Sequence, residues 1–234
     1  MPSLFVSCET KDTMIKAVIF DFNGTLYFDS DIHTTVWRDM YINDVGGKPE
    51  DFDRVFAEVF GSNNLPIIKH FYKSVGKTIS DEDAEVMSKE KERRYRVYSV
   101  EHDRCHLVKG AKELFNRLKE REYGMNISSA SIIENINFFF LEFGLDRWFD
   151  KSNVTYDNGV YLDKTQMYKD AAKNIGFSIE DCLIFEDSVY GIECAKKAGC
   201  KNIIMMNPDG KKESPEGIIQ SIRDFTEFDD KLLG

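Results

Sequence analysis

Short apolar runs alternate with helical stretches along most of this chain, and one of these runs is interrupted by a charge. The segment from Ile15 to Phe22 is largely apolar, which is typical of a strand buried on both faces of a parallel sheet. Asp21 lies inside it, where a carboxylate is costly to desolvate unless a cation or hydrogen-bond donors compensate it. The pattern therefore predicts a site at the carboxyl end of this strand. A turn-capping aspartate is the alternative.

A different pattern begins after Asp31. From about Ile32 to Val100 apolar residues recur at helical spacing, charges are dense, and no buried strand is predicted. This stretch is predicted to be a separate helical unit with a long charged helix from Asp81 to Tyr98. The predicted division is an N-terminal tail of residues 1–13, an α/β core of residues 14–28 and 105–234, and a helical insertion of residues 29–104.

Strands and helices alternate again after Leu107. This order predicts a doubly wound parallel sheet with right-handed crossovers. The predicted strands are Met125–Ser128, Cys182–Phe185 and Lys201–Met206, with a possible hairpin at Asn153–Val160. The predicted helices are Gly110–Glu122, Ser131–Phe143, Gln166–Ile175 and Ser188–Ala198.

Composition narrows the choice of partners. The chain has 234 residues, 42% of them hydrophobic, and a net charge of −10, so its surface repels nucleic acid and anionic lipid overall. Its five cysteines are scattered and predict neither a disulfide framework nor a zinc site. No apolar run approaches the roughly 18 residues of a membrane span, and the first residues lack the features of a signal peptide. We expect a cytoplasmic protein with no membrane partner, monomeric or weakly dimeric.

Polar residues mark two further strand ends. Ser129 follows the strand Met125–Ser128, and the S-x-x-E spacing from Ser131 to Glu134 predicts that Ser131 caps the next helix. Ser129 would then lie in the loop before a helix N-terminus, where a hydroxyl and backbone N–H groups can hold an anion, although a serine there is more often a turn residue.

Two adjacent acids, Glu186 and Asp187, end the strand Cys182–Phe185. They would repel each other strongly without a cation, although a helix dipole accounts for one acid by itself. Together with Asp21 they favour Mg²⁺, a hard ion that prefers carboxylate and carbonyl oxygens. Lys164 lies in a loop upstream, where a lone lysine usually faces solvent.

These segments, in order, resemble the motifs of the haloacid dehalogenase superfamily. Residues 21–26 (D-F-N-G-T-L) resemble the first motif, D-x-D-G-T-L, and residues 186–192 match the fourth, E-D-S-x-x-G-I. Ser129 resembles the serine or threonine that ends a strand in the second motif. Lys164 resembles the lysine of the third motif. The resemblance implies a doubly wound, Rossmann-like core with an inserted helical cap, and it covers nearly the whole chain after Met14.

The chain departs from the family pattern at two places. Asn23 stands where the family has the aspartate that works as general acid and base. Lys164 lacks the usual K-P-x-P continuation, which leaves Lys169 and Lys151 as alternatives.

The start of the insertion resembles the cap entry of β-phosphoglucomutase-like proteins. The pattern D-S-x-x-H-x-x-x-W places His33 and Trp37 on one helix face, and the resemblance implies that both face the substrate together with a basic residue, Lys91. A tryptophan on such a face is more often a core residue, and Lys91 lies in a charge run that is more often solvated. The loop Gly61–Asn64 lacks the arginine of the mutase.

The resemblance also implies a mechanism. Asp21 would attack phosphorus and form an aspartyl phosphate. Asp21, Asp187 and the backbone carbonyl of Asn23 would hold Mg²⁺, and Glu186 would support these ligands. Ser129 and Lys164 would hold the phosphoryl oxygens. An asparagine side chain cannot transfer protons. Its presence lowers the rate by roughly 10²- to 10⁴-fold relative to a general acid/base.

Several hypotheses follow. The preferred one is a magnesium-dependent phosphatase that acts on a small phosphorylated metabolite, a sugar phosphate in particular, and is slow or recruits another base such as His33. The alternatives are phosphoryl transfer of the β-phosphoglucomutase type and a phosphate-binding pseudoenzyme. Asn23 as a substitution introduced to trap a ligand is a further reading, and haloacid dehalogenation fits the lysine and the acids less well.

Overall fold

The computed structural model describes residues 14–234, so the predicted tail of residues 1–13 lies outside the described residues. The described chain divides into two compact units. The α/β unit comprises residues 14–26, Val108–Ala130 and Asp146–Gly234, and the helical unit comprises Tyr27–Leu107 and Ser131–Leu145. The helical unit thus includes a second segment that the predicted insertion of residues 29–104 does not contain.

Six strands form one sheet in the order β3-β2-β1-β4-β5-β6. The strands are β1 (Ala17–Phe20), β2 (Gly124–Ile132), β3 (Thr155–Asp157), β4 (Cys182–Glu186), β5 (Asn202–Met206) and β6 (Gln220–Ile222). The pairs that join β2, β1, β4, β5 and β6 are parallel, which confirms the predicted α/β class with a parallel sheet. The sequence did not predict β6.

Eight α-helices surround the sheet or build the helical unit in the described chain. They are α1 (Ser30–Met40), α2 (Phe52–Ala57), α3 (Asn64–Ser74), α4 (Asp81–Glu101), α5 (Ala111–Glu120), α6 (Ile133–Phe143), α7 (Lys164–Asn174) and α8 (Val189–Ala198). No helix among residues 14–234 has both the length and the apolar character needed to cross a membrane.

The core of the α/β unit has an aliphatic side and an aromatic side. On one side of the sheet, Ile19 of β1 and Ile184 of β4 belong to a cluster completed by residues of α7 and α8. On the other side the rings of Phe20 and Phe185 stack with centroids 5.2 Å apart, and Phe225 packs against Phe185 edge-on. Since both faces are covered, β1 is apolar throughout and β4 is apolar up to Glu186, its last residue; the polar site begins at Asp21 and Glu186.

The helical unit has its own aromatic core. Phe71 of α3 contacts Trp37 of α1 at 5.8 Å and Tyr41 at 4.9 Å between ring centroids. The long charged helix is confirmed as α4, whose first turn is capped by the Ser80 hydroxyl. Asn135 of α6 is hydrogen-bonded within this unit, which explains why residues 131–145 cluster with it.

Two local predictions were wrong. The backbone remains extended through Ile132, so α6 begins at Ile133 and Ser131 lies in β2 rather than at a helix N-cap. The capping-box pattern describes the spacing of side chains, but it does not locate where a strand ends. The possible hairpin at Asn153–Val160 contains only the strand β3, and the residues after it form no partner strand.

Candidate active site

Three carboxylates come together at the carboxyl ends of the two central strands. The register pairs Phe20 with Phe185, so that Asp21 and Glu186 follow side by side, and the Asp21 N–H donates to the Phe185 carbonyl at 3.0 Å. Ligand oxygens of Asp21, Glu186 and Asp187 all lie within 4.8 Å of one another. We refer to these three residues as the acid cluster.

Lys164 is the cation of this site. It is the first residue of α7, which Asp163 caps by accepting a hydrogen bond from the Thr165 N–H. The Lys164 Nζ donates to Asp21 Oδ1 at 2.7 Å and to Glu186 Oε2 at 2.9 Å. Burial by itself would lower the pKa of Lys164, but the two carboxylates outweigh it and raise this pKa above its usual value. The ammonium is therefore charged at any physiological pH.

The two alternatives to Lys164 differ from it in burial. The side chains of Lys169 and Lys151 are both exposed, whereas Lys164 reaches two buried acids. The structure thus places Lys164 beside Asp21, although Lys164 lacks the K-P-x-P continuation.

Glu186 is fully buried and its two oxygens accept four hydrogen bonds. Lys164 and the Tyr168 hydroxyl donate to Oε2, while the Ser188 N–H and hydroxyl donate to Oε1 at 3.0 and 2.7 Å. These donors, led by the charge of Lys164, outweigh the effect of burial and lower the pKa of Glu186. A Cβ at Gly191 would lie only 2.2 Å from the Glu186 carboxyl carbon, so the absence of a side chain there makes room for this acid.

The other two acids are poorly compensated. Burial and the charge of Glu186 raise the pKa of Asp21 well above its ordinary value, although Lys164 opposes them. The same two causes raise the pKa of Asp187 to about 6. Burial and the neighbouring carboxylate thus both disfavour the charged forms of these two acids. A cluster of buried carboxylate oxygens fits a hard divalent cation such as Mg²⁺.

Asn23 and Ser129 lie beside this cluster within the α/β unit. The Ser129 hydroxyl is 3.5 Å from Asn23 Oδ1, and Ser129 is buried in β2 rather than in the predicted loop. Gly24 turns the chain with a φ of +78°, and a Cβ there would lie 2.5 Å from the Asp187 carboxyl group. Glycine therefore allows the turn after Asp21 to approach Asp187 closely.

Sequence reasoning missed two residues of the site. Tyr168 lies one helical turn after Lys164 on α7, and its hydroxyl donates to Glu186; the i,i+4 spacing was the available signal. Lys212 lies in the loop after β5, and its Nζ is 2.7 Å from the Asp187 carbonyl oxygen and 3.2 Å from Asp187 Oδ2. Lys212 lies several residues after the end of β5 and belongs to no motif, so its neighbourhood carries no signal for this role.

The predicted cap residues His33, Trp37 and Lys91 come together within the helical unit. The Lys91 Nζ lies 5.3 Å from the centroid of the Trp37 ring and 2.8 Å from His33 Nδ1. Trp37 and Lys91 are each 3% exposed, so both are core residues of this unit, while the His33 side chain is 28% exposed.

Both ring nitrogens of His33 have a partner in the same unit. Because the Lys91 ammonium can only donate, His33 Nδ1 is the acceptor of that bond. The other nitrogen, Nε2, lies 3.2 Å from Asp29 Oδ2 and carries the proton towards it. Lys91 also donates to Glu92 Oε1 at 2.8 Å. Both ring nitrogens of His33 are thus engaged within the helical unit.

The chain is similar to several known proteins. In Bacillus subtilis (strain 168), a protein named "Putative phosphatase YhcW" is 27% identical over 196 residues, which cover 83% of this chain and 84% of that protein. The crystal structure of a family IA, variant 3 HAD hydrolase from Entamoeba histolytica superposes with a TM-score of 0.82 at 32% identity and covers 94% of this chain and 97% of that chain.

A second solved structure shows the same fold at lower identity. A variant of CbbY from Rhodobacter sphaeroides, crystallised in complex with xylulose-(1,5)-bisphosphate, has a TM-score of 0.73 at 20% identity and covers 92% of this chain and 96% of that chain. The family profile described as haloacid dehalogenase-like hydrolase matches residues 15–199. The chain therefore belongs to the haloacid dehalogenase-like hydrolases.

Proposed function

We propose that this protein is a magnesium-dependent phosphohydrolase that acts on a small phosphorylated metabolite through an aspartyl phosphate on Asp21. One observation carries the proposal: Lys164 bridges Asp21 and Glu186 while Asp187 completes the acid cluster. A buried nucleophile, a fixed cation and spare carboxylate oxygens are the parts that phosphoryl transfer requires. The YhcW relative, named as a phosphatase, supports the same class of reaction.

Each residue then has a task. A carboxylate oxygen of Asp21 forms the new bond to phosphorus, and the bond between phosphorus and the leaving oxygen breaks. Lys164, held by Glu186, stays beside Asp21 and offsets negative charge. The Ser129 hydroxyl would donate to a phosphoryl oxygen. Asp21, Asp187 and the backbone carbonyl of Asn23 would hold Mg²⁺, which supplies further charge compensation when bound.

The proposed site has no proton-transferring side chain at position 23. The Asn23 amide neither protonates the leaving oxygen nor activates the water that hydrolyses the aspartyl phosphate. His33 does not replace it in the observed arrangement, because Lys91 and Asp29 occupy both of its ring nitrogens. We therefore propose slow turnover with a long-lived phosphoenzyme.

A sugar phosphate is the proposed substrate. The CbbY variant with the same fold was crystallised with a sugar bisphosphate, which supports this class. We propose that His33, which is partly exposed, contacts the substrate, and that Trp37 and Lys91 act through it because they are buried.

The decisive experiment compares the protein with Asn23→Asp on a panel of sugar phosphates in the presence of Mg²⁺. We expect Asn23→Asp to release phosphate about 10²- to 10⁴-fold faster, because it restores a group that can transfer protons. The double variant Asp21→Asn with Asn23→Asp is the control and is expected to be inactive. Absence of phosphate release from both Asn23→Asp and the unmodified protein across the panel would overturn the proposal.

Asn23 also favours a second candidate, a protein that binds a phosphorylated metabolite without hydrolysing it. This candidate predicts magnesium-dependent binding of a sugar phosphate in calorimetry with no phosphoenzyme and no phosphate release. Phosphorylation of Asp21 in the unmodified protein, detected as a mass increase of the intact chain, would rule it out.

A further inference from the structure

The loop after β5 is built to deliver one lysine to the acid cluster. Asn207 is 5% exposed, and its side chain clasps Lys212: Nδ2 donates to the Lys212 carbonyl at 2.9 Å, and Oδ1 accepts from the Lys212 N–H at 3.2 Å. The Gly210 N–H donates to the Asn207 carbonyl at 3.0 Å, and the Asn207 N–H donates to the carbonyl of Ile222 in β6. The backbone at Lys212 is therefore held to the sheet.

The ammonium group of Lys212 contacts Asp187 at two points. Its Nζ lies 2.7 Å from the main-chain oxygen of Asp187 and 3.2 Å from Oδ2 of the same residue. Contacts to both the backbone and the carboxylate restrain the rotamer of Asp187. Gly24 approaches the Asp187 carboxylate so closely that a Cβ would clash. The carboxylate is thus confined by the glycine turn and by the lysine.

We propose that Lys212 is a positioning residue that presents Asp187 to a divalent cation. The inference rests on the magnesium site of the proposed function. In the described part of the chain, Lys212 is the donor that contacts the Asp187 carboxylate, and it uses Oδ2, which leaves Oδ1 for a metal ion. Partners of metal ligands commonly orient the ligand in this way, and their loss weakens metal binding by about 10- to 100-fold.

The sign of the effect separates positioning from simple electrostatics. A lysine beside a cation site repels the cation, so removal of its charge alone would tighten Mg²⁺ binding. Removal of a positioning contact has the opposite result, because Asp187 gains freedom that binding must then restrict. The Lys212 side chain is 43% exposed, which screens its charge and places the expected loss near the lower end of that range.

The test is calorimetric titration of the metal-free protein with MgCl₂. We expect Lys212→Met to bind Mg²⁺ about 10-fold more weakly and Lys212→Arg to recover part of the affinity. Lys211→Met is the matched control: it removes the same charge from the same loop, but Lys211 is 83% exposed and lies nearest to Asp209 at 3.7 Å. Its affinity should be unchanged.

A second variant tests the loop without any change of charge. Asn207→Ala removes the clasp on Lys212, and we expect weaker Mg²⁺ binding in the same direction, with the melting temperature in EDTA measured alongside. Equal or tighter binding by Lys212→Met overturns the inference while the metal site stands. Absence of Mg²⁺ binding by the unmodified protein overturns the metal site of the proposed function itself.

Discussion

The two compact units each bury a group of charges, and the two groups are compensated very differently. In the α/β unit the acid cluster has one buried cation, Lys164, and the pKa of Asp21 is raised by burial and by Glu186. In the helical unit Glu92 is buried too, but Lys91 and two asparagine amides outweigh the effect of burial and lower its pKa to about 2. One group has surplus negative charge, and the other is matched.

The difference is whether the chain itself compensates the buried charge. Lys91 and Glu92 compensate each other within the helical unit, so this pair needs no added cation. The acid cluster is costly to bury, and a bound cation of the kind we propose would offset that cost. The following variants disturb one of the two groups at a time.

The largest expected effect is the loss of activity in the acid cluster. In the Asn23→Asp background, Asp21→Asn should lower phosphate release at least about 10⁴-fold, because the nucleophile is absent. The melting temperature should stay the same or rise, since one of three crowded charges is removed. Phosphate release with a sugar phosphate and thermal unfolding check the two halves of this prediction. A variant that keeps its activity would remove Asp21 from the mechanism.

Removal of one charged partner should lower the free energy of unfolding far more when the pair is Lys91 and Glu92 than when the change lies in the acid cluster. Glu92→Gln leaves the buried Lys91 ammonium uncompensated and should lower the free energy of unfolding by about 3–5 kcal/mol. Glu90→Gln is the control: Glu90 pairs at the surface with Arg93 and Arg94, so its loss should cost at most about 1 kcal/mol. Unfolding in guanidinium chloride measures both. Similar losses in the two variants would contradict the contrast.

The pair of Lys91 and Glu92 should also make the free energy of unfolding depend on pH. The pKa of Glu92 falls from 4.5 to about 2 on folding, so its stabilisation is fully present above about pH 4.5 and is lost as the pH falls towards 2. The difference in unfolding free energy attributable to this group is about 3 kcal/mol. Urea unfolding between pH 2.5 and 7 should therefore show the protein and Glu92→Gln converging at low pH. Parallel curves would argue against the assignment.

The smallest expected effect is stabilisation by the metal. Saturating MgCl₂ should raise the free energy of unfolding of the metal-free protein by about 1–2 kcal/mol, or a few degrees in melting temperature. Asp187→Asn should lose this increment because it removes a carboxylate of the acid cluster, whereas Glu90→Gln should keep it. The same increment in Asp187→Asn would place the cation elsewhere.

Most of the architecture could be predicted from the sequence because local patterns encode it. The apolar run before Asp21 and the strand before Glu186 are adjacent in the sheet, as the strand-end argument requires. The long helix α4 follows from its charged periodicity and its Ser80 cap. The edge strand β6 has only three residues and carries no comparable pattern.

Contacts between distant residues could not be predicted in the same way. Lys212 reaches Asp187 only because Asn207 folds the intervening loop, and neither residue has a signal in its own neighbourhood. Ser131 satisfied a capping pattern, yet strand pairing kept the backbone extended past it. Tyr168 is recognisable as a partner of Glu186 only once α7 is known to start at Lys164.

The central position of β1 has a consequence for how the molecule is made. Ala17 pairs with Gly124 on one side and with Cys182 on the other, so β1 has both of its neighbours in the sheet more than 100 residues downstream. Pairing across such separations slows folding. Asp21, the proposed nucleophile, therefore gains both of its flanking strands only after β4 has been synthesised, and phosphate release would report that these distant segments have paired.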